Sequence, residues 1–143
     1  KQLLSSRRYK RRNSMKRILI VDDHAPVIRV LKLGIEDAGY EVDTASNGAE
    51  CLTKLFDRHP DFIVTDIDMP RMSGKELCLA IEDQFPDRKF PIVVLTSRTE
   101  MEHREWTREI QNLTFMEKPV SVRRLLSHIG SCFGESGRTA AAL

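Results

Sequence analysis

The sequence predicts an α/β domain, a parallel sheet of five short strands with helices on both faces. Short apolar runs alternate with segments whose apolar residues recur at helical spacing. The runs are apolar almost without interruption, as strands covered on both faces must be, instead of alternating with polar residues. A chain of 143 residues is long enough for one substantial core and no more.

The elements follow in order. Arg17–Val21 reads as the first strand, and Val27, Leu31, Ile35 and Ala38 mark the helix after it. That helix ends in AGYE, where Gly39 supplies the left-handed residue of a C-terminal cap. Glu41–Ala45 is the second strand. Asn47-x-x-Glu50 then opens a helix carrying Ala49, Leu52, Leu55 and Phe56, with the pattern of a capping box. Phe62–Thr65 is the third strand, and Ser73-x-x-Glu76 opens the helix marked by Leu77, Ile81 and Phe85. The Pro-bounded loop FPDRKFP leads to the fourth strand, Ile92–Leu95. Segment 99–110, TEMEHREWTREI, has the least periodicity, with only Met101, Trp106 and Ile110 apolar. Leu113–Met116 is the fifth strand. The last helix shows the cleanest face, formed by Val122, Leu125, Leu126, Ile129 and Phe133.

Composition narrows the functional classes. Hydrophobic residues make up 41% and charged residues 31%, values of a soluble globular protein. No apolar run reaches the roughly 18 residues of a membrane helix. Cys51, Cys78 and Cys132 are odd in number and form no CxxC pair, so neither a disulfide framework nor a structural metal site is expected, and a reducing cytoplasm fits. Residues 1–17 hold eight basic residues and no acid, leaving 15 of the 23 Lys and Arg to set against all 21 acids. The folded part is therefore acidic, which argues against direct nucleic-acid binding. Residues 1–15 read as a disordered or appended basic leader, 16–133 as one domain and 134–143 as a flexible tail.

The chemistry sits where apolar runs stop. ILIVDDH ends its strand in Asp22-Asp23, and FIVTDIDMP ends in Asp66 and Asp68. In doubly wound sheets the site lies beyond the carboxyl ends of the strands. Three carboxylates gathered there repel one another unless a cation neutralises them, and all-oxygen ligands suit magnesium. A carboxylate beside magnesium can accept a phosphoryl group. Thr96 at the end of the fourth strand and Lys118 at the end of the fifth add a hydroxyl and a cation around the acceptor. No GxGxxG or GxxxxGK[ST] loop is present to cradle a nucleotide.

With these residues in this order, residues 16–133 resemble the receiver domain of two-component response regulators. The resemblance implies the flavodoxin-like sheet order 2-1-3-4-5 and a phosphorylation site at Asp66. It implies magnesium held by Asp22, Asp23, Asp66 and the backbone carbonyl of Asp68. Lys118 would pair with the acceptor site, and Thr96 would contact the phosphoryl oxygen as the domain switches, accompanied by Phe115. The phosphodonor would be a histidine kinase or phosphotransfer protein. The downstream protein or output domain would read the face formed by the helix at 99–110, the fifth strand and the last helix. Asp68 and Arg98 flank the phosphoryl opening and would set the lifetime of the modification. The chain departs from the family pattern at Ser97, often Ala or Gly, and at IQNL, where a small-Gly-small turn is usual.

Two other readings stand beside this one. A receiver-like scaffold would bind partners without phosphorylation, which the intact Asp66, Thr96 and Lys118 argue against. Asp66-x-Asp68 also resembles the aspartate pair of haloacid-dehalogenase-type phosphatases, but Pro70 and the preceding βαβα unit do not fit that family. His24 reads as an exposed loop histidine in preference to a metal ligand. Trp106 fits a partner anchor or a core aromatic equally well.

Overall fold

The computed structural model describes residues 15–97, 105–108 and 110–135. Strands β1 (Arg17–Val21), β2 (Glu41–Ala45), β3 (Phe62–Asp66), β4 (Ile92–Thr96) and β5 (Leu113–Glu117) form one parallel sheet in the order β2-β1-β3-β4-β5. Four α-helices are described: α1 (Ala25–Asp37), α2 (Gly48–Asp57), α3 (Gly74–Gln84) and α4 (Val122–Cys132). The expected fold class and strand order both hold. Expectations for the leader at 1–14 and the tail beyond 135 lie outside the described residues.

The near-continuous apolar strands are explained by a core on each side of the sheet. Successive residues point to opposite faces. Leu19, Val21, Ile63, Ile92 and Val94 therefore pack with Leu55 of α2 and Leu77 and Ile81 of α3. Ile18, Ile20, Phe62, Val64 and Val93 pack with Leu31 and Ile35 of α1 and with Leu125 and Ile129 of α4. The three cysteines are free; burial pushes the thiols of Cys51 and Cys78 up to about 12, so neither is a nucleophile.

The caps form with one change of partner. Ser73 and Glu76 make the full reciprocal box. Asn47 accepts from the Glu50 N–H, but the Glu50 carboxylate takes the N–H and hydroxyl of Ser46 instead of the Asn47 N–H. Gly39 is left-handed, at φ 97°. Asn112 adopts φ 56° in the turn into β5, a left-handed region that Asn tolerates better than most residues. Within the predicted helix at 99–110, the described residues form only a 3₁₀ turn at Glu105–Thr107. Residues 99–104 and 109 of that predicted helix lie outside the described residues.

A partly buried ion network ties β1 to β2 and α2. Arg17, its side chain 8% exposed, donates to Asp43 Oδ2 at 2.6 Å and to the Arg58 carbonyl at 3.2 Å, while Lys54 reaches Asp43 Oδ1 at 2.8 Å. Burial raises the Asp43 pKa, but the bonds from Lys54 and Arg17 outweigh it and hold the carboxyl below its ordinary range. A lowered folded-state pKa adds stability above the unfolded-state value, and that stability is lost as pH falls through the folded-state value. Asp43→Asn is expected to cost about 1–2 kcal/mol at neutral pH, less than a fully buried pair because Asp43 is partly exposed. Urea melts should show the gap between wild type and variant closing as pH drops below the carboxylate range.

Candidate functional site

Each site residue is held by a hydrogen bond that continues a strand ladder past its last pair. The Asp22 N–H bonds the Ala45 carbonyl at 3.1 Å, Ile67 N–H bonds Leu95 at 3.1 Å, and Lys118 N–H bonds Thr96 at 2.8 Å. These bonds bring Asp22, Asp66 and Lys118 to one edge of the sheet. Asp66 and Thr96 are themselves the last residues of β3 and β4, so those strands run one residue further than their apolar runs.

Asp66 is 2% exposed and Asp22 4%, while Asp23 stands in solvent. Asp66 Oδ1 accepts from Lys118 Nζ at 2.6 Å and from the Ile67 N–H at 3.0 Å. Burial raises the Asp66 pKa above the ordinary carboxylate value; Lys118 opposes the shift and the Asp22 charge adds to it. Asp22, Asp23, His24 and Asp66 each offer one ligand atom, all within 4.8 Å of one another. Against three carboxylates the edge sets one ammonium. Hard oxygen donors, close spacing and uncompensated negative charge are what a divalent cation requires, so these residues fit magnesium.

Thr96, Phe115 and Asp68 are the remaining predicted residues that the structure describes. Thr96 is fully buried, and its hydroxyl donates to the Ser97 carbonyl at 3.2 Å. Phe115 is half-buried in β5, with its ring edge-on to Trp106 at 5.8 Å. Trp106 packs partly buried against the core, which favours the core-aromatic reading. Asp68 has an exposed side chain two residues past the acceptor, and Arg98 lies outside the described residues.

Residues 18–130 match the family model of the response regulator receiver domain. The chain belongs to that family. It is 35% identical over 114 residues, 80% of its length and 47% of the relative's, to the alkaline phosphatase synthesis transcriptional regulatory protein PhoP of Bacillus subtilis. It is 32% identical over 127 residues to the transcriptional regulatory protein PrrA of Mycobacterium leprae, covering 89% of this chain and 54% of the other. The chain thus spans about half the length of these regulators. Among solved structures, the chemotaxis response regulator CheY4 of Vibrio cholerae matches at 31% identity and a TM-score of 0.75, covering 83% of this chain and 99% of that one. Response regulator TrrA of Thermotoga maritima, in complex with Mg2+–BeF, matches at 31% identity and 0.72, covering 82% and 99%. No helix among the described residues of this receiver domain is long and apolar enough to cross a membrane.

Three supports of the site were not read from the sequence. The Thr65 hydroxyl donates to the Asp66 carbonyl at 2.9 Å, closing the backbone behind the acceptor. Gly74 lies against that same carbonyl, and its N–H bonds the Ile67 carbonyl at 2.8 Å. A glycine directly after an N-cap serine is a poor helix former, and that was the available signal for close packing. His24 is exposed, as expected, but its ring engages both neighbouring carboxylates, 3.1 Å from each.

Proposed function

We propose that this receiver domain, residues 16–133, is a phosphorylatable switch with Asp66 as acceptor. The observation that carries the reading is the Asp66 carboxylate, buried at a strand end, bonded to Lys118 at 2.6 Å and gathered with Asp22 and Asp23. An Asp66 oxygen attacks the phosphorus of a phosphohistidine on a histidine kinase or phosphotransfer protein. The phosphorus–nitrogen bond breaks, an acyl phosphate forms, and the imidazole leaves with the electron pair. Magnesium, which Asp22, Asp23, Asp66 and the Asp68 carbonyl would hold, supplies charge neutralisation for the phosphoryl oxygens. Lys118 opposes the rise that burial gives the Asp66 pKa and adds a second positive charge to the developing dianion. The TrrA complex with Mg2+–BeF supports carrying this chemistry to the matching residues here.

Two surfaces support partner roles. Val27, Val30 and Leu33 form an exposed apolar stripe on α1, which begins beside the acidic pair, where a phosphodonor would approach. On the output side, Phe115, Met116 and Glu117 of β5 line a shallow groove of about 550 Å³ with Arg124 and His128 of α4. The downstream partner reads this face as the domain shifts between two conformations already in equilibrium. Slow self-hydrolysis resets the switch at a rate tuned by Asp68 and Arg98.

Thr96 couples phosphate to that face. On phosphorylation its hydroxyl leaves the Ser97 carbonyl for the phosphoryl oxygen, and Phe115 moves with it. Because Trp106 lies edge-on to Phe115, Trp fluorescence is the readout. Thr96→Ala is expected to be phosphorylated by acetyl phosphate and magnesium but to lose most of the fluorescence change. A full change in the variant would remove Thr96 from the coupling.

A further inference from the structure

We propose that a cavity at the amino ends of the strands is a second ligand site, one that takes a small zwitterion with an apolar body. A free α-amino acid with an aromatic side chain is the simplest such ligand. The inference is independent of the phosphorylation reading.

A parallel sheet brings its amino ends to one edge, opposite the edge that carries Asp66. There the segments entering β1, β3, β4 and β5 frame a cavity of about 620 Å³, the size of a site for a small molecule. Asp61, which lines it, precedes Asp66 by five residues, so the two sites stand roughly 16 Å apart along β3.

One wall holds a buried cation. The Arg88 side chain is 3% exposed, and its guanidinium carbon lies 5.7 Å from the centre of the Phe90 ring. One terminal nitrogen donates to Glu82 at 2.9 Å and the other to the Gln111 carbonyl. Nε has no partner, alone among the buried side-chain nitrogen and oxygen atoms of the described residues. A buried donor left unmet is costly, and such groups ordinarily find an acceptor. A carboxylate seated in the cavity supplies one after small shifts of the exposed neighbours Asp87 and Lys89.

The rest of the lining sets the other features of the ligand. Besides His59, edge-on to Phe90 at 5.7 Å, the lining sets Lys16 and Lys89 against Asp61 and Asp87, while Glu82 offsets Arg88. Both signs of charge are offered with no net excess. A simple anion would gain from the cations and lose to the carboxylates. A zwitterion satisfies both, its carboxylate toward Arg88 and Lys89 and its ammonium toward Asp61 and Asp87. Asp61 is held in place, since its Oδ2 accepts the Arg17 N–H at 2.8 Å. Phe90 and Phe133 supply apolar walls for the body of the ligand.

The test titrates the 15N-labelled full chain with L-phenylalanine, with 3-phenylpropionate, which lacks the ammonium, and with phenethylamine, which lacks the carboxylate. The expected result is a saturable shift of the Arg88 Nε–H signal with L-phenylalanine. The other two should bind about tenfold more weakly or worse, as loss of a charged hydrogen bond implies. A variant carrying both Asp61→Asn and Asp87→Asn, whose amides keep an acceptor for the Arg17 N–H, should weaken L-phenylalanine by a similar factor. Asp66→Asn should leave its binding unchanged. Equal binding of 3-phenylpropionate, or an unaffected double variant, would overturn the zwitterion. Loss of binding in Asp66→Asn, or no saturable shift in the wild type, would overturn the site.

Discussion

Asp66→Asn is expected to take up no phosphoryl group from acetyl phosphate and, in EDTA at neutral pH, to melt above the wild type. The amide removes the anionic oxygen that attacks phosphorus while keeping the shape. Its stabilising effect follows from the environment: burial and the Asp22 charge hold the Asp66 pKa above the ordinary carboxylate value despite Lys118. A carboxyl raised in the folded state costs nothing below its unfolded-state pKa, and stability is lost as pH rises through the folded-state value. That loss falls on the wild type as pH rises and is absent in the variant. Lys118 is 39% exposed on its side chain and is readily solvated when its partner is neutral. Thermal melts should place the variant a few degrees higher, since about 1 kcal/mol moves the midpoint roughly 2–8 °C in domains near this size.

Gly74→Ala should cost more stability than the same exchange at Gly34 or Gly48, where the added methyl meets side chains. A Cβ built there would stand 2.4 Å from the Asp66 carbonyl oxygen and 2.7 Å from the Ile67 Cα. Both are backbone atoms, and neither can rotate away as a side chain would. The end of β3 or the first turn of α3 must move, at a cost of about 2–3 kcal/mol, typical of forcing atoms into a packed site. Because the displaced group is the acceptor's own peptide, phosphorylation should slow as well. Gly48→Ala is the control: its methyl would meet the Met72 side chain, which can shift, so the loss should be smaller. Chemical denaturation of the two variants gives the ordering.

The sequence was most informative where one requirement dominated. Strands buried on both faces leave near-continuous apolar runs, so β1, β3 and β4 were located within a residue. Carboxylates at the ends of such runs are conspicuous, which made Asp22, Asp23 and Asp66 legible before any geometry was known. The segment at 99–110 was harder, because only Met101, Trp106 and Ile110 are apolar; among its described residues Glu105–Thr107 form a 3₁₀ turn, with Trp106 and Ile110 on the core. Gly74 and Thr65 were missed for another reason. Their roles are contacts with one backbone carbonyl, and no local pattern reveals which carbonyl a glycine or hydroxyl will meet. His24 shows the same limit, since its exposure was foreseen but the direction of its ring was not.

The most direct test of the account is the intact mass of the full chain after incubation with acetyl phosphate, with magnesium and with EDTA. The account predicts the gain of one phosphoryl group with magnesium only, its removal by hydroxylamine as expected of an acyl phosphate, and its loss in Asp66→Asn. A folded wild-type chain that gains no mass with magnesium, or that gains it equally in Asp66→Asn, would contradict the assignment of Asp66 as the acceptor.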